Sequence, residues 1–66
     1  RMLYNEALKQ ARIEANMTQV EVGESLHITQ QTVQGWEKGK SDPNISRLIQ
    51  LAELYNVSLD KLIGRE

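Results

Sequence analysis

Sixty-six residues make one domain with a small core, since a chain this short buries only about 60% of its unfolded surface. The absence of cysteine excludes disulfides and thiolate metal sites, and a lone histidine, His27, has no partners at ligand spacing. Eight Lys/Arg against nine Asp/Glu leave a net charge of −1, which runs against the positive surplus usual in nucleic-acid binders.

Apolar runs never exceed three residues, so no membrane span is expected. The start lacks the continuous apolar stretch of a signal peptide, and a cytoplasmic location is the natural expectation. Arg1 ahead of Met2 reads as a tag remnant and is left out of the argument. No nucleophile–base pair, metal cluster or phosphate loop is present, so neither catalysis nor a cofactor is expected.

The periodicity is helical throughout, and the fold class is all-α with five helices. The first is expected from about Leu3 to Ala15, where Tyr4, Leu8, Ala11 and Ala15 form one apolar stripe; Asn16 suits a left-handed stop. The second opens at Thr18, whose capping box is completed by Glu21, and buries Val22, Gly23 and Leu26. The third opens at Thr29, turns Val33 and Trp36 inward, and stops at Gly39.

Ser41-Asp42-Pro43-Asn44 is a turn. The fourth helix spans about Ile45 to Tyr55, with Ile45, Leu48, Leu51, Ala52 and Tyr55 on its inner face, and ends at Asn56. Ser58 caps a last short helix through Ile63, closed by Gly64.

Residues of about 18–38 carry the chemistry. Two helices cross steeply only if their backbones approach closely, and Gly23 supplies the small residue. The turn between them needs positive φ, a slot usually given to glycine and here to His27. A strained turn residue is the simpler reading of this histidine than a ligand or a pH switch. The apolar set Val22, Leu26, Ile28, Val33 and Trp36 locks the pair. The result is a helix-turn-helix whose second helix begins with three glutamines, Gln30, Gln31 and Gln34. Taken alone, these glutamines equally suit an ordinary solvated face.

Met17-Thr18-Gln19, Trp36-Glu37-Lys38-Gly39-Lys40, Pro43 and Val57-Ser58-Leu59-Asp60-Lys61-Leu62, in this order, resemble the helix-turn-helix domain of lambdoid phage repressors, Cro proteins and the wider Xre-type regulators. The resemblance runs from Leu8 to Gly64 and implies a lambda-repressor-like bundle. It also implies binding of double-stranded DNA at two-fold symmetric operators, as homodimers, through the N-terminal half of the third helix. Transcriptional regulation, most simply repression, is the implied role.

Carried over residue by residue, the resemblance assigns Gln30, Gln31, Gln34 and Gly35 to the base-facing positions. Glutamine pairs bidentately with adenine, so A·T pairs are expected in the site. Thr32 would reach a phosphate or a thymine methyl. Gln19 and Thr29, at the starts of the two helices, and Lys38, Lys40 and Asn44 would hold the DNA backbone. Arg12 and Glu37 match a structural ion pair between the first helix and the end of the third. Arg47 is open to either a structural or a binding role, and Lys9, Lys61 and Arg65 read as solvated charges.

Departures from the pattern matter. Gly35 stands where many relatives carry a long polar side chain; it removes one base reader or lets the helix lie deeper. Asp42, Glu21 and Glu24 repel phosphate, so modest affinity and a salt dependence with a slope of about −3 per copy are expected. The tail Leu59, Leu62 and Ile63 either pairs two copies or closes the core. A C-terminal effector or oligomerisation domain beyond Gly64 is a further expectation. The competing function is an antitoxin-like or adaptor module that uses the same fold to bind protein.

Overall fold

Side-chain caps set most of the helix starts. The computed structural model describes residues 2–66, and Arg1, read above as a tag remnant, lies outside the described residues. Five helices follow in chain order: α1 (Tyr4–Glu14), α2 (Gln19–Leu26), α3 (Gln30–Lys38), α4 (Ile45–Tyr55) and α5 (Leu59–Leu62). Thr18, Thr29, Asn44 and Ser58 each accept a backbone N–H of the first turn of the helix they precede. At α2 the reciprocal bond is also made: Glu21 Oε1 accepts from the Thr18 amide at 2.8 Å. α1 lacks a capping hydroxyl or amide, and there the Glu6 carboxylate reaches back to the Leu3 amide at 3.1 Å.

The stops share one geometry. Asn16, His27, Gly39, Asn56 and Gly64 all have positive φ, and after each the next residue's amide donates back to a carbonyl five positions earlier. This is the Schellman ending, which ties down carbonyls that the helix itself leaves free. Three of the five stops are not glycine, so the chain tolerates a left-handed cost at Asn16, His27 and Asn56.

α1 forms the hub: it packs against α3, α4 and α5, while α2 packs mainly on α3. The core gathers Leu8, Ala11, Val22, Leu26, Val33, Trp36, Leu51, Ala52, Tyr55 and Leu62, so every helix contributes at least one buried side chain. Trp36 belongs to this core and not to a stacking surface. Pro43 is buried as well, which fixes the path of the α3–α4 connection.

One expectation changes, and one alternative narrows. Ile45 is 71% exposed and does not belong to the inner face of α4. It is the first residue of α4, at the end opposite the buried Leu51, Ala52 and Tyr55. In the tail, Leu62 is fully buried and closes the core, whereas Leu59 is 46% exposed. Leu62 is therefore unavailable for pairing two copies. No described helix is long and apolar enough to cross a membrane.

Candidate nucleic-acid interface

Two opposed faces of α3 organise the site. Val33, Trp36 and Glu37 are buried, at spacings that put them on one stripe of the helix. Gln31 lies on the opposite side, joined by Gln34, Gly35 and Lys38 at three, four and seven positions along. Gln30 and Gln31 are exposed, and Gln34 and Thr32 are half-buried. The glutamine amides thus project from a helix whose other side is held by the core.

The pitch of α3 against α2 comes from the turn between them. His27 takes φ 59° and ψ 42°, and the Ile28 amide donates to the Gly23 carbonyl at 2.9 Å. A Cβ on Gly23 would meet the Ile28 carbonyl oxygen at 2.8 Å and the Gln30 amide nitrogen at 3.4 Å. Only glycine lets the start of α3 settle this close to α2.

Arg12 and Glu37 anchor the far end. Arg12 Nε and Nη2 meet the two Glu37 oxygens at 2.7 and 3.0 Å, a bidentate pair. A third Arg12 bond, from Nη1 to the Met17 carbonyl at 2.9 Å, ties the pair to the segment that enters α2. The hydrogen bond to Glu37 is the main cause that raises the Arg12 pKa above its ordinary value, with desolvation opposing it. Burial pushes the nearby Tyr55 hydroxyl up, and the Glu37 charge adds to this, so Tyr55 stays neutral.

Three residues, Gln19, Asn5 and Arg47, make connections that had no signal in the sequence. Gln19 Nε2 donates to Glu37 Oε1 at 3.0 Å, and Gln19 Oε1 accepts from Gln30 Nε2 at 3.4 Å. Asn5 Nδ2 donates to the Glu37 carbonyl at 3.1 Å, which fastens α1 to the last turn of α3. Arg47, left open by the sequence, donates from Nη1 to the Leu26 carbonyl at 3.1 Å and to Gln50 Oε1 at 3.0 Å. Arg47 thereby satisfies a carbonyl at the end of α2, a structural use of its charge. These partners lie eighteen or more positions away, except Gln50 and Gln30, and no local pattern encodes them.

The remaining residues expected at the interface fall around α3. Thr29 caps the helix, and its hydroxyl lies 3.0 Å from that of Thr32. Asn44 is exposed and caps α4 through the Arg47 amide at 2.9 Å. Lys38 and Lys40 are exposed, and neither joins a carboxylate among the described residues. Gly35 faces the following turn: a Cβ there would stand 3.2 Å from Ser41 Oγ, and its carbonyl accepts from the Lys40 amide at 2.9 Å. A cleft of about 320 Å³ lies elsewhere, between α1 and the α5 end, with no lining residue from α2 or α3.

Known proteins share this arrangement. Residues 8–62 match the sequence model of the Helix-turn-helix family. The chain is 34% identical over 65 residues to the HTH-type transcriptional activator BcrR of Enterococcus faecalis. It is 38% identical over 65 residues to the HTH-type transcriptional regulator ImmR of Bacillus subtilis. Both alignments take in 98% of this chain but 32% and 51% of the relatives, so it spans about a third to a half of their length. The fold superposes on the P22 c2 repressor protein, solved in complex with synthetic operator 9T in the presence of Tl+, with a TM-score of 0.87 over 100% of both chains. At 21% identity that likeness is one of fold.

Proposed function

The chain belongs to the helix-turn-helix family, and from that membership we propose that it binds double-stranded DNA sequence-specifically as a transcriptional regulator. The observation that carries the reading is the two-faced α3: buried Val33, Trp36 and Glu37 behind, and Gln31, Gln34 and Lys38 in front. The N-terminal half of α3 enters the major groove, where Gln30, Gln31 and Gln34 meet base edges and Thr32 meets a thymine methyl or a phosphate. Gly35 offers only backbone to the groove. Thr29, Gln19, Lys38, Lys40 and Asn44 lie against the DNA backbone. No catalytic step is part of this role, and for a bacterial or phage protein the working compartment is the cytoplasm.

Two copies on a palindromic site complete the proposal, because one such domain reads only a few base pairs. The operator complex of the P22 c2 repressor, a protein of the same fold, supports operator binding here. Any pairing of copies through the tail runs over exposed Leu59.

Selection of bound sequences from a random DNA pool tests the proposal. The expected product is an inverted repeat with half-sites about 34 Å apart, one turn of the duplex. A pool with no enriched sequence would overturn it and favour a protein-binding role.

A further inference from the structure

The geometry points to Thr29 as a positioning residue that commits Thr32 to a thymine methyl instead of a phosphate. The inference rests on the proposed DNA reading and decides between the two contacts given there for Thr32. The Thr29 and Thr32 hydroxyl oxygens lie 3.0 Å apart. Each hydroxyl carries one proton, and their mutual bond uses one of the two. A single proton is left for DNA, whichever threonine gives it. Phosphate oxygens only accept, so the pair can donate to one phosphate and not to two.

Thr29 is the better placed of the two to give that proton. It is exposed, whereas Thr32 is half-buried. The Thr29 oxygen also accepts the Thr32 amide at 3.1 Å, which holds its side chain in one place. With the Thr29 proton on a phosphate, Thr32 must donate to Thr29. The Thr32 hydroxyl then has no proton for DNA, and its rotamer is fixed by the bond it makes. The γ-methyl is the group that remains for the groove. The C5-methyl of thymine is its apolar counterpart on the major-groove edge. One shared proton thus couples a backbone contact to a base contact.

The test replaces single thymines of a preferred site with deoxyuridine, which removes only the C5-methyl. The parental protein should lose about fourfold at one thymine, the worth of one buried methyl. Thr32→Ser, which lacks the methyl, should show no such loss there. Thr32→Val keeps a methyl and has no hydroxyl to redirect, so the loss should persist. Thr29→Gly removes the hydroxyl, and glycine caps a helix about as well as threonine. It should weaken all sequences about three- to tenfold, the worth of one neutral hydrogen bond, and also shrink the uracil loss. Combined with Thr32→Val, it should weaken all sequences and leave the uracil loss unchanged.

A parental protein that tolerates uracil at every thymine would overturn the inference and leave the DNA reading standing. So would a Thr32→Val protein weakened on all sequences alike, the mark of a lost phosphate contact. Equal shrinkage of the uracil loss by Thr29→Gly with either residue at position 32 would overturn the role of Thr29. In the DNA-free protein, three-bond couplings to the Thr32 γ-methyl should report one rotamer, and averaged rotamers in Thr29→Gly. Averaged couplings in the parental protein would overturn the tether. A random pool that yields no preferred site would overturn the DNA reading and this inference together.

Discussion

Gly23 and Ile28 approach so closely that a Cβ on Gly23 would stand 2.8 Å from the Ile28 carbonyl oxygen. Alanine at position 23 would gain about 1 kcal/mol of helix propensity. Against this stands a clash with backbone that the α2 ending holds in place, and overpacking of this kind costs about 1–3 kcal/mol. Gly23→Ala should therefore lower the urea midpoint. It should also weaken DNA binding, since relief of the clash moves the start of α3, where Gln30 lies 3.4 Å away. An unchanged midpoint would mean that α2 and α3 separate at no cost.

The Arg12–Glu37 pair makes a second prediction about stability. Glu37 is only 8% exposed, and removing its carboxylate leaves the half-buried Arg12 guanidinium without its ion-pair partner. Glu37→Ala should cost about 3–5 kcal/mol, close to the whole stability of a domain this small. Replacing both partners, as in Arg12→Met with Glu37→Leu, should return most of that loss, because no uncompensated charge remains. The raised Arg12 pKa contributes stability that is lost only as pH climbs through that raised value, so the pair is constant from neutral to mildly alkaline pH. Chemical denaturation of the three proteins at pH 7 and pH 9 checks both statements.

His27 makes a third. Its left-handed backbone costs a non-glycine residue about 1–2 kcal/mol, and glycine returns roughly half of that gain as extra chain entropy on folding. The side chain is exposed, so no packing is lost. His27→Gly should raise stability by about 0.5–1 kcal/mol, or some 2–8 °C in Tm for a domain of this size. A lower Tm would show that the imidazole makes a contact of its own.

Much of this fold was legible because its punctuation is local. Thr18, Thr29 and Ser58 announce helix starts, and Asn16, Gly39, Asn56 and Gly64 announce stops, through bonds to backbone within a few positions. Ile45 misled because periodicity assigns a direction but not a neighbour, and the buried residues of α4 all lie in its second half. The roles of Asn5, Arg47 and Gln19 were invisible, since each is defined by a partner eighteen or more positions away. The candidate site splits the same way. Sequence pattern places the glutamines at the start of α3, whereas the one side-chain bond among them, from Gln30 to Gln19, belongs to tertiary structure.

Glu14 gives the pH dependence. Hydrogen bonds from Gln10 and then Lys61, the latter 3.1 Å away, hold its carboxyl below the ordinary value of 4.5. A carboxylate with a lowered folded pKa contributes stability above its unfolded value and loses it as pH falls through the folded one. The effect is confined to acid below 4.5, and the solvent around this exposed pair keeps it small. Side-chain carbon shifts followed through an acid titration should place the Glu14 midpoint below 4.5, and Lys61→Ala should move it back up. A midpoint that ignores Lys61 would leave Gln10 as the sole cause.

DNA binding should separate the reading residues from the holding ones. Gln31 stands at the middle of the exposed face of α3, so Gln31→Ala should cost about 1–3 kcal/mol at one base position and little on random DNA. Lys40→Ala should weaken all sequences about equally. The salt dependence follows from which cations are free. Arg12 is bound to Glu37, Arg47 to the Leu26 carbonyl, and Lys61 to Glu14. Lys38 and Lys40 remain beside the end of α3, each contributing about 0.9 to the slope of log affinity against log salt. The slope should therefore be about −2 for one copy and about −4 for two, shallower than the −3 per copy that charge counting suggests. Lys40→Ala should take about 0.9 from the slope of a single copy, and Gln31→Ala should leave it unchanged. A parental slope steeper than about −10 for two copies would mean that cations away from α3, or the bound arginines, reach phosphate in the complex.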